Sequence, residues 1–155
     1  MRILRSVPMA LFSLVILCMA CSSGKPLTPE EAFTQLRQAY TSENAEKLYS
    51  LLSTGSRAKI SGIVESIQSM PAGRQKAMAE KMGVAPSLFD SISPTDYLAL
   101  QVSVGKTKGD DPIREALRHE ITGITVKNKV AVVKVQNGME LFFHKEGPYW
   151  MFVYE

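Results

Sequence analysis

The chain has 155 residues, 45% of them hydrophobic and 21% charged, enough for one domain with its own core and no need of disulfides or metals. Its formal charge of +3 shrinks once Arg2 and Arg5, at the extreme N-terminus, are set aside. The remainder carries 16 Lys and Arg against 15 Asp and Glu, and so lacks the basic surface that nucleic-acid binding requires.

Met1 to Arg5 is a short basic start, and Val7 to Ala20 (VPMALFSLVILCMA) is almost wholly apolar. At about 14 residues this run is too short to span a bilayer, which takes roughly 20, and its length and flanks are those of a signal peptide. It stops at Ala20-Cys21-Ser22-Ser23-Gly24-Lys25. These residues resemble the bacterial lipoprotein signal, a branched apolar residue and two small ones before a cysteine. Ala20 and Cys21 match the last two places, while Cys18 stands where Leu is usual and Met19 is bulkier than typical. The resemblance implies cleavage after Ala20 and lipid on Cys21, with several acyl chains where one alone would bind only marginally. The plainer alternative is a secreted protein in which Cys21 is incidental. Ser22 occupies the place where Asp would imply inner-membrane retention in many Gram-negative lipoproteins, which favours the outer membrane if the host has one. The expected layout is a leader over residues 1–20, a lipidated cysteine and flexible tether over 21–27, and one domain over 28–155. Cys18 and Cys21 are the only cysteines. The domain therefore has no disulfide framework, cysteine nucleophile or thiolate zinc site.

Thr28-Pro29-Glu30-Glu31 predicts a helix start, with Thr28 as cap, Pro29 at the first helical position and Glu31 closing a capping box. Phe33, Leu36 and Tyr40 follow at helical spacing. Ser42 to Asn44 breaks this helix and starts a second, striped by Leu48, Leu51 and Leu52. Thr54-Gly55-Ser56 reads as the next break, and Ile60, Ile63, Val64 and Ile67 mark a third helix ending before Pro71. Gly73 to Lys81 is a shorter amphipathic segment with Met78 and Met82 on one side and Gly83 as C-cap. Pro86 to Phe89 and Pro94 to Leu98 read as helical turns, Thr107 to Pro112 as a loop, and Ile113 to Arg118 as one or two further turns. From Glu120 the period becomes strand-like. Strands are expected over 121–126, 130–136, 139–145 and 149–154, with a type I′ turn at Asn137-Gly138, the strongest hairpin signal in the chain.

Little of this pattern carries chemistry. Gly105-Lys106-Thr107 has the ending of a phosphate-binding loop, but the required earlier glycine is Leu100. His119 and His144 are the only histidines and lie far apart in sequence, so no metal site is expected. Asp110-Asp111 reads as a solvated loop pair. A two-residue turn at Asn137-Gly138 would pair Val135 with Glu140, Val133 with Phe142 and Ala131 with His144. Glu140, Phe142 and His144 would then share a face with Val133 and Val135, opposite Val132, Lys134, Met139, Leu141 and Phe143. Both faces are partly apolar, so either suits the covered one. A covered Glu140–His144 pair would have shifted pKa values and could move protons; an uncovered pair is simply wet, and is the plainer reading. Trp150, Phe152 and Tyr154 share one face of the last strand, as core aromatics do.

The order of these pieces resembles a known superfold. Thr28-Pro29-Glu30-Glu31-Ala32, Ser42-Glu43-Asn44-Ala45, Leu51-Leu52-Ser53, Val126 to Val133 and Gly147-Pro-Tyr-Trp150 together look like the nuclear-transport-factor-2-like (cystatin-like) α+β roll, which small bacterial lipoproteins commonly carry. The resemblance implies helices packed on a curved antiparallel sheet, a pocket between them to which Tyr40, Phe142 and Trp150 would contribute, and frequent dimerisation through the sheet. The segment from about Pro71 to Ser93 exceeds what a minimal roll needs. The superfold hosts enzymes, binders and assembly domains alike. Three functions are therefore expected. The first is a non-catalytic module for a small apolar ligand or another envelope protein, without a cofactor. The second is an isomerase- or dehydratase-like enzyme drawing on Tyr40, Asp96, Tyr97, His119, Glu140 or His144. The third is a structural assembly domain whose pocket is filled.

Overall fold

The computed structural model describes residues 24–154; Cys21 and the leader lie outside that range. Among the described residues the fold is α+β, with six α-helices preceding a four-stranded antiparallel sheet. Helix α1 (Pro29–Thr41) begins at the expected cap, the Thr28 hydroxyl accepting the Glu31 amide at 3.1 Å, but the expected capping box does not close, because the Glu31 carboxylate accepts the Leu27 amide at 2.7 Å instead of that of Thr28. Glu43 turns the chain at φ 52°, and Asn44 caps α2 (Ala45–Leu51), accepting the Lys47 amide at 2.9 Å. Thr54-Gly55-Ser56 is not a break. It is the first turn of α3 (Thr54–Gln68), which Ser53 caps. Three small polar residues can stand in a helix start when a preceding serine accepts one of their amides, and here Ser53 takes that of Ser56.

Helix α4 (Ala72–Met82) ends at Gly83 with φ 73°, and a short 3-10 helix spans Pro86–Asp90. With α3 they close a small apolar cluster of Val64, Ile67, Ala79, Phe89 and Ile92, which places the segment over 71–93. Helix α5 (Pro94–Lys108) is the largest departure from expectation, because the helical turn at Pro94–Leu98 continues through residues 99–106, which showed no element, and into the start of the expected loop. Its apolar residues face two ways. Leu98 and Val102 enter the main core while Leu100 packs on the smaller cluster, so no single stripe announces the helix. Asp111 caps α6 (Pro112–Leu117).

Strands β1 (Ile121–Lys127), β2 (Val130–Val135), β3 (Glu140–Glu146) and β4 (Tyr149–Phe152) form a meander in the order β1-β2-β3-β4. The β2–β3 register differs by one from a two-residue turn, with Val133 opposite Leu141, Val132 opposite Phe142 and Val130 opposite His144. The turn over Val135–Gly138 is closed by the Gly138 amide on the Val135 carbonyl at 2.9 Å, and Val135 in turn bonds Met139. Only Gly138 of the Asn-Gly pair is left-handed, at φ 85°, so the turn is not type I′. Burial explains the choice. The longer loop puts Val133, Val135, Leu141 and Phe143 on one face, all 6% exposed or less, whereas the shorter one would divide them between two.

That face packs on α1. Phe33, Leu36 and Tyr40 join Ala131, Val133, Phe143, Trp150 and Phe152 in the main core, and the rings of Phe143 and Phe152 lie 5.6 Å apart. The outer edge of β4 is covered at Leu52-Ser53, where the Ser53 amide bonds the Phe152 carbonyl at 2.8 Å. At the other side of the sheet β1 pairs, among the described residues, only with β2. The end of the segment expected to be a flexible tether is instead seated, with Pro26 buried and its carbonyl accepting the Trp150 amide at 2.9 Å.

Candidate functional site

The polar groups that converge do so at the margin where α5, the Asp110–Pro112 connection, α6 and the chain's last residues meet. Gly105 on α5 lets this margin close up, since a Cβ there would stand 2.9 Å from Asp111 Cβ. Asp111 is held in place by its capping bond to the Arg114 amide at 3.0 Å. Arg114 Nε lies 3.7 Å from Asp111 Oδ2, and the two side chains are 18% and 11% exposed. The Arg114 guanidinium stands over the Tyr40 ring, 5.8 Å from its centre, and its Nε has no hydrogen-bond partner.

Three open clefts adjoin Pro112. One of about 380 Å³ is lined by Tyr40, Gln101, Lys108, Asp111 and Tyr154. One of about 500 Å³ is lined by Lys106, Asp110, Arg114, Glu115, Arg118 and Met139. An apolar groove of about 230 Å³ runs along Ile113, Met139, Leu141, Phe142 and Val153. Burial pushes the Tyr40 phenol far above its ordinary value, with the Asp111 carboxylate adding to the effect. Tyr154 is raised chiefly by burial, then by Tyr97 and Asp111, and Tyr97 is raised by burial. All three phenols are therefore neutral donors at ordinary pH. A cleft lined by neutral hydroxyls and a paired Asp–Arg can hold a polar molecule, and none of the three phenols is poised as a base near neutrality.

The sequence candidates are mostly dispersed. Glu140, Phe142 and His144 do share a face, but with Val130, Val132 and Lys134, and it is the uncovered one. Phe142 is 39% exposed and both polar residues are exposed, so the covered Glu–His pair does not form. His144 borders a shallow cleft with Ser56 and Lys59, and Glu140 sits at the rim of the apolar groove. Asp96 spends its carboxylate on the capping box of α5, accepting the Ser93 amide at 3.0 Å, and those bonds lower its pKa. His119 pairs with Glu115 at 3.2 Å. Trp150 is packed into the core. Of the candidates, Tyr40 lines a polar cleft of the converging margin and Glu140 and Phe142 border its apolar groove, with Tyr97 near enough to Tyr154 to affect its titration.

Asp111, Arg114 and Tyr154 were not legible as a group. Asp111 is not solvated as its loop position suggested, although Asp-Pro ahead of an apolar residue is a helix-start signal. A glycine within an apolar run, as at Gly105, marks close approach. Among the described residues no cluster of three metal-ligating side chains occurs and no helix is long and apolar enough to cross a membrane. Compared with known proteins, the chain matches no family model, no curated relative and no solved structure.

Proposed function

We propose that the protein is an envelope lipoprotein, held on a membrane by lipid on Cys21, whose domain is a non-catalytic assembly module that meets another protein on its surface. The observation that carries this reading is the filled interior. Where a nuclear-transport-factor-2-like roll would keep its pocket, Phe33, Leu36, Tyr40, Val133, Phe143 and Phe152 pack together at 3% exposure or less. We read the fold as a roll of that kind, on the helix-then-meander order and the residues quoted for it, with a core in place of the pocket. A domain whose core is filled in this way meets a protein partner on its surface.

The surface best suited to a protein is the edge of β1, which is free among the described residues. Its unpaired backbone groups fit an extended strand, and the sequence Ile121-Thr-Gly-Ile-Thr-Val126 is rich in β-branched residues. Val126 is 52% exposed and Val130, on the neighbouring strand, 42%. The test is photocrosslinking in intact cells from Thr125, with Ser66 on α3 as control. A discrete adduct from Thr125 alone, lost in the T122K/V126K variant, is expected; an adduct of twice the chain's mass would identify the partner as a second copy. Equal labelling from both positions, or none from Thr125, refutes the surface. The anchor has its own test. Cys21→Ser should move the protein out of the membrane fraction, and intact-mass measurement of an unmodified Cys21 would refute it.

A further inference from the structure

The seat of Pro26 has a consequence for how the domain stands on its membrane. Four residues separate Cys21 from Pro26, so the chain between them spans at most about 18 Å when extended. A domain of this length is about 36 Å across. The lipid-bearing residue therefore cannot reach round to an arbitrary side, and the end of the sheet at which Pro26 is seated is the end nearest the bilayer.

That end is basic. The β1–β2 and β3–β4 turns lie together there, joined by the Lys145 amide on the Lys129 carbonyl at 2.8 Å. Lys25, Lys127, Lys129 and Lys145 are all exposed, with Lys25 over the Tyr149 ring at 5.5 Å and Lys145 over Trp150 at 5.7 Å. Arg57 and Lys59 stand close by on α3. The carboxylates of this region are largely committed. Glu146 accepts two bonds from Thr54 and faces Arg57, and Glu31 accepts the Leu27 amide at 2.7 Å; Glu30 is exposed at the start of α1. Leu27, beside Pro26, leaves 57% of its surface uncovered.

We propose that this lysine-bearing end docks on anionic lipid headgroups, with Leu27 as an apolar foot, so that the anchor and the domain grip the same bilayer. The proposal rests on lipidation at Cys21 for its geometry. Polybasic attraction of this kind strengthens membrane contact by about fivefold for each Lys near the surface and fades over a Debye length of about 8 Å. The three lysines of the two turns are then responsible for roughly a hundredfold preference for the docked orientation at low salt. The opposite end, with the Val135–Gly138 turn and the Asp111 margin, points into the aqueous space.

The experiment uses the full lipidated protein in vesicles of phosphatidylcholine, with or without one quarter phosphatidylglycerol, carrying a headgroup quencher. A fluorescent label is placed at P148C, in the β3–β4 turn, or at Q136C, in the β2–β3 turn. Quenching of the first and not the second is expected, only with phosphatidylglycerol present, and it should fall to the level of the second in high salt or in K127E/K129E/K145E. Milder K127Q/K129Q/K145Q changes, with a urea melt of each variant, separate lost docking from lost folding. Equal quenching at both ends, or quenching indifferent to lipid charge and salt, overturns the proposal. If the protein fails to float with vesicles at all, the lipid reading has failed instead. An N-terminal histidine tag ahead of Ser22, held on a nickel-chelating lipid, then supplies the tether, and the same comparison of the two labels decides the orientation.

Discussion

Removing the Glu146 carboxylate should unfasten α3 from the sheet by a measurable and pH-dependent amount. Glu146 closes β3, and its two oxygens accept the Thr54 amide at 2.7 Å and the Thr54 hydroxyl at 2.8 Å, with Arg57 at 4.0 Å. Hydrogen bonds to a charged group each contribute about 1.5–3 kcal/mol, but Thr54 is exposed and water replaces part of what is lost, so the pair together contributes about 2 kcal/mol. That total includes the favourable field of a helix N-terminus on a carboxylate, about 0.3–1 kcal/mol. For a domain of this size the Glu146→Ala change should lower Tm by about 6–10 °C. Burial alone would raise the Glu146 pKa, but the Thr54 bonds, Arg57 and His144 outweigh it and hold the group below its ordinary 4.5. A folded pKa below the unfolded one means that the stabilisation is complete above the unfolded value and fades as pH falls through the folded value. Urea unfolding of the two proteins at neutral pH and at about pH 3 therefore reads both quantities, and the gap should narrow in acid. A gap as wide in acid as at neutrality, or one under about 0.5 kcal/mol at neutrality, would refute the reasoning.

Three further outcomes follow from other parts of the fold. Gly138→Val should destabilise the domain by about 1–2 kcal/mol through backbone strain alone, since φ is 85° and no atom lies within 4 Å of the added Cβ; Gly138→Asn should recover most of the loss in the same thermal melts. Gly105→Ala should destabilise, despite the roughly 1 kcal/mol that helix propensity favours, because its Cβ meets Asp111 Cβ at 2.9 Å. Gly62→Ala on α3, where no atom lies within 4 Å, should instead stabilise by about 0.5–1 kcal/mol, and equal signs for the two would contradict the close packing of α5 on Asp111. Tyr40, Tyr97 and Tyr154 all have raised pKa values, so their contribution is whole below an unfolded pKa of 10.0 and lost as pH rises through the folded values. Tyrosinate absorbance should show three of the five tyrosines ionising late, together with alkaline unfolding; a single smooth titration of all five in the folded state would contradict their burial.

The candidate site divides along the same line as these predictions. Tyr40 was visible because it ends the apolar stripe of a well-capped helix, and such stripes face a core whatever the rest of the chain does. Asp111, Arg114 and Tyr154 come together from a helix cap, the following turn and the C-terminus, and no local pattern links positions so placed. Glu140 and His144 are exposed, the plainer of the two readings of the sequence, and which β2 residues share their face turned on a single residue of register, because one step along a strand exchanges its two faces.

Local signals in the amino-acid sequence were enough to determine the α+β class, the caps at Thr28 and Gly83, and the presence of four strands, since each rests on contacts within a few residues. The length of α5, the seat of Pro26 on β4 and the covered face of the sheet were decided only by tertiary structure. In each case the stabilising partner lies far along the chain: two separate apolar clusters for α5, the Trp150 amide for Pro26, and the joint burial of Val133, Val135, Leu141 and Phe143 against α1 for the register. Burial of that kind is a property of the assembled core, and neither Asn137 nor Gly138 carries any sign of it.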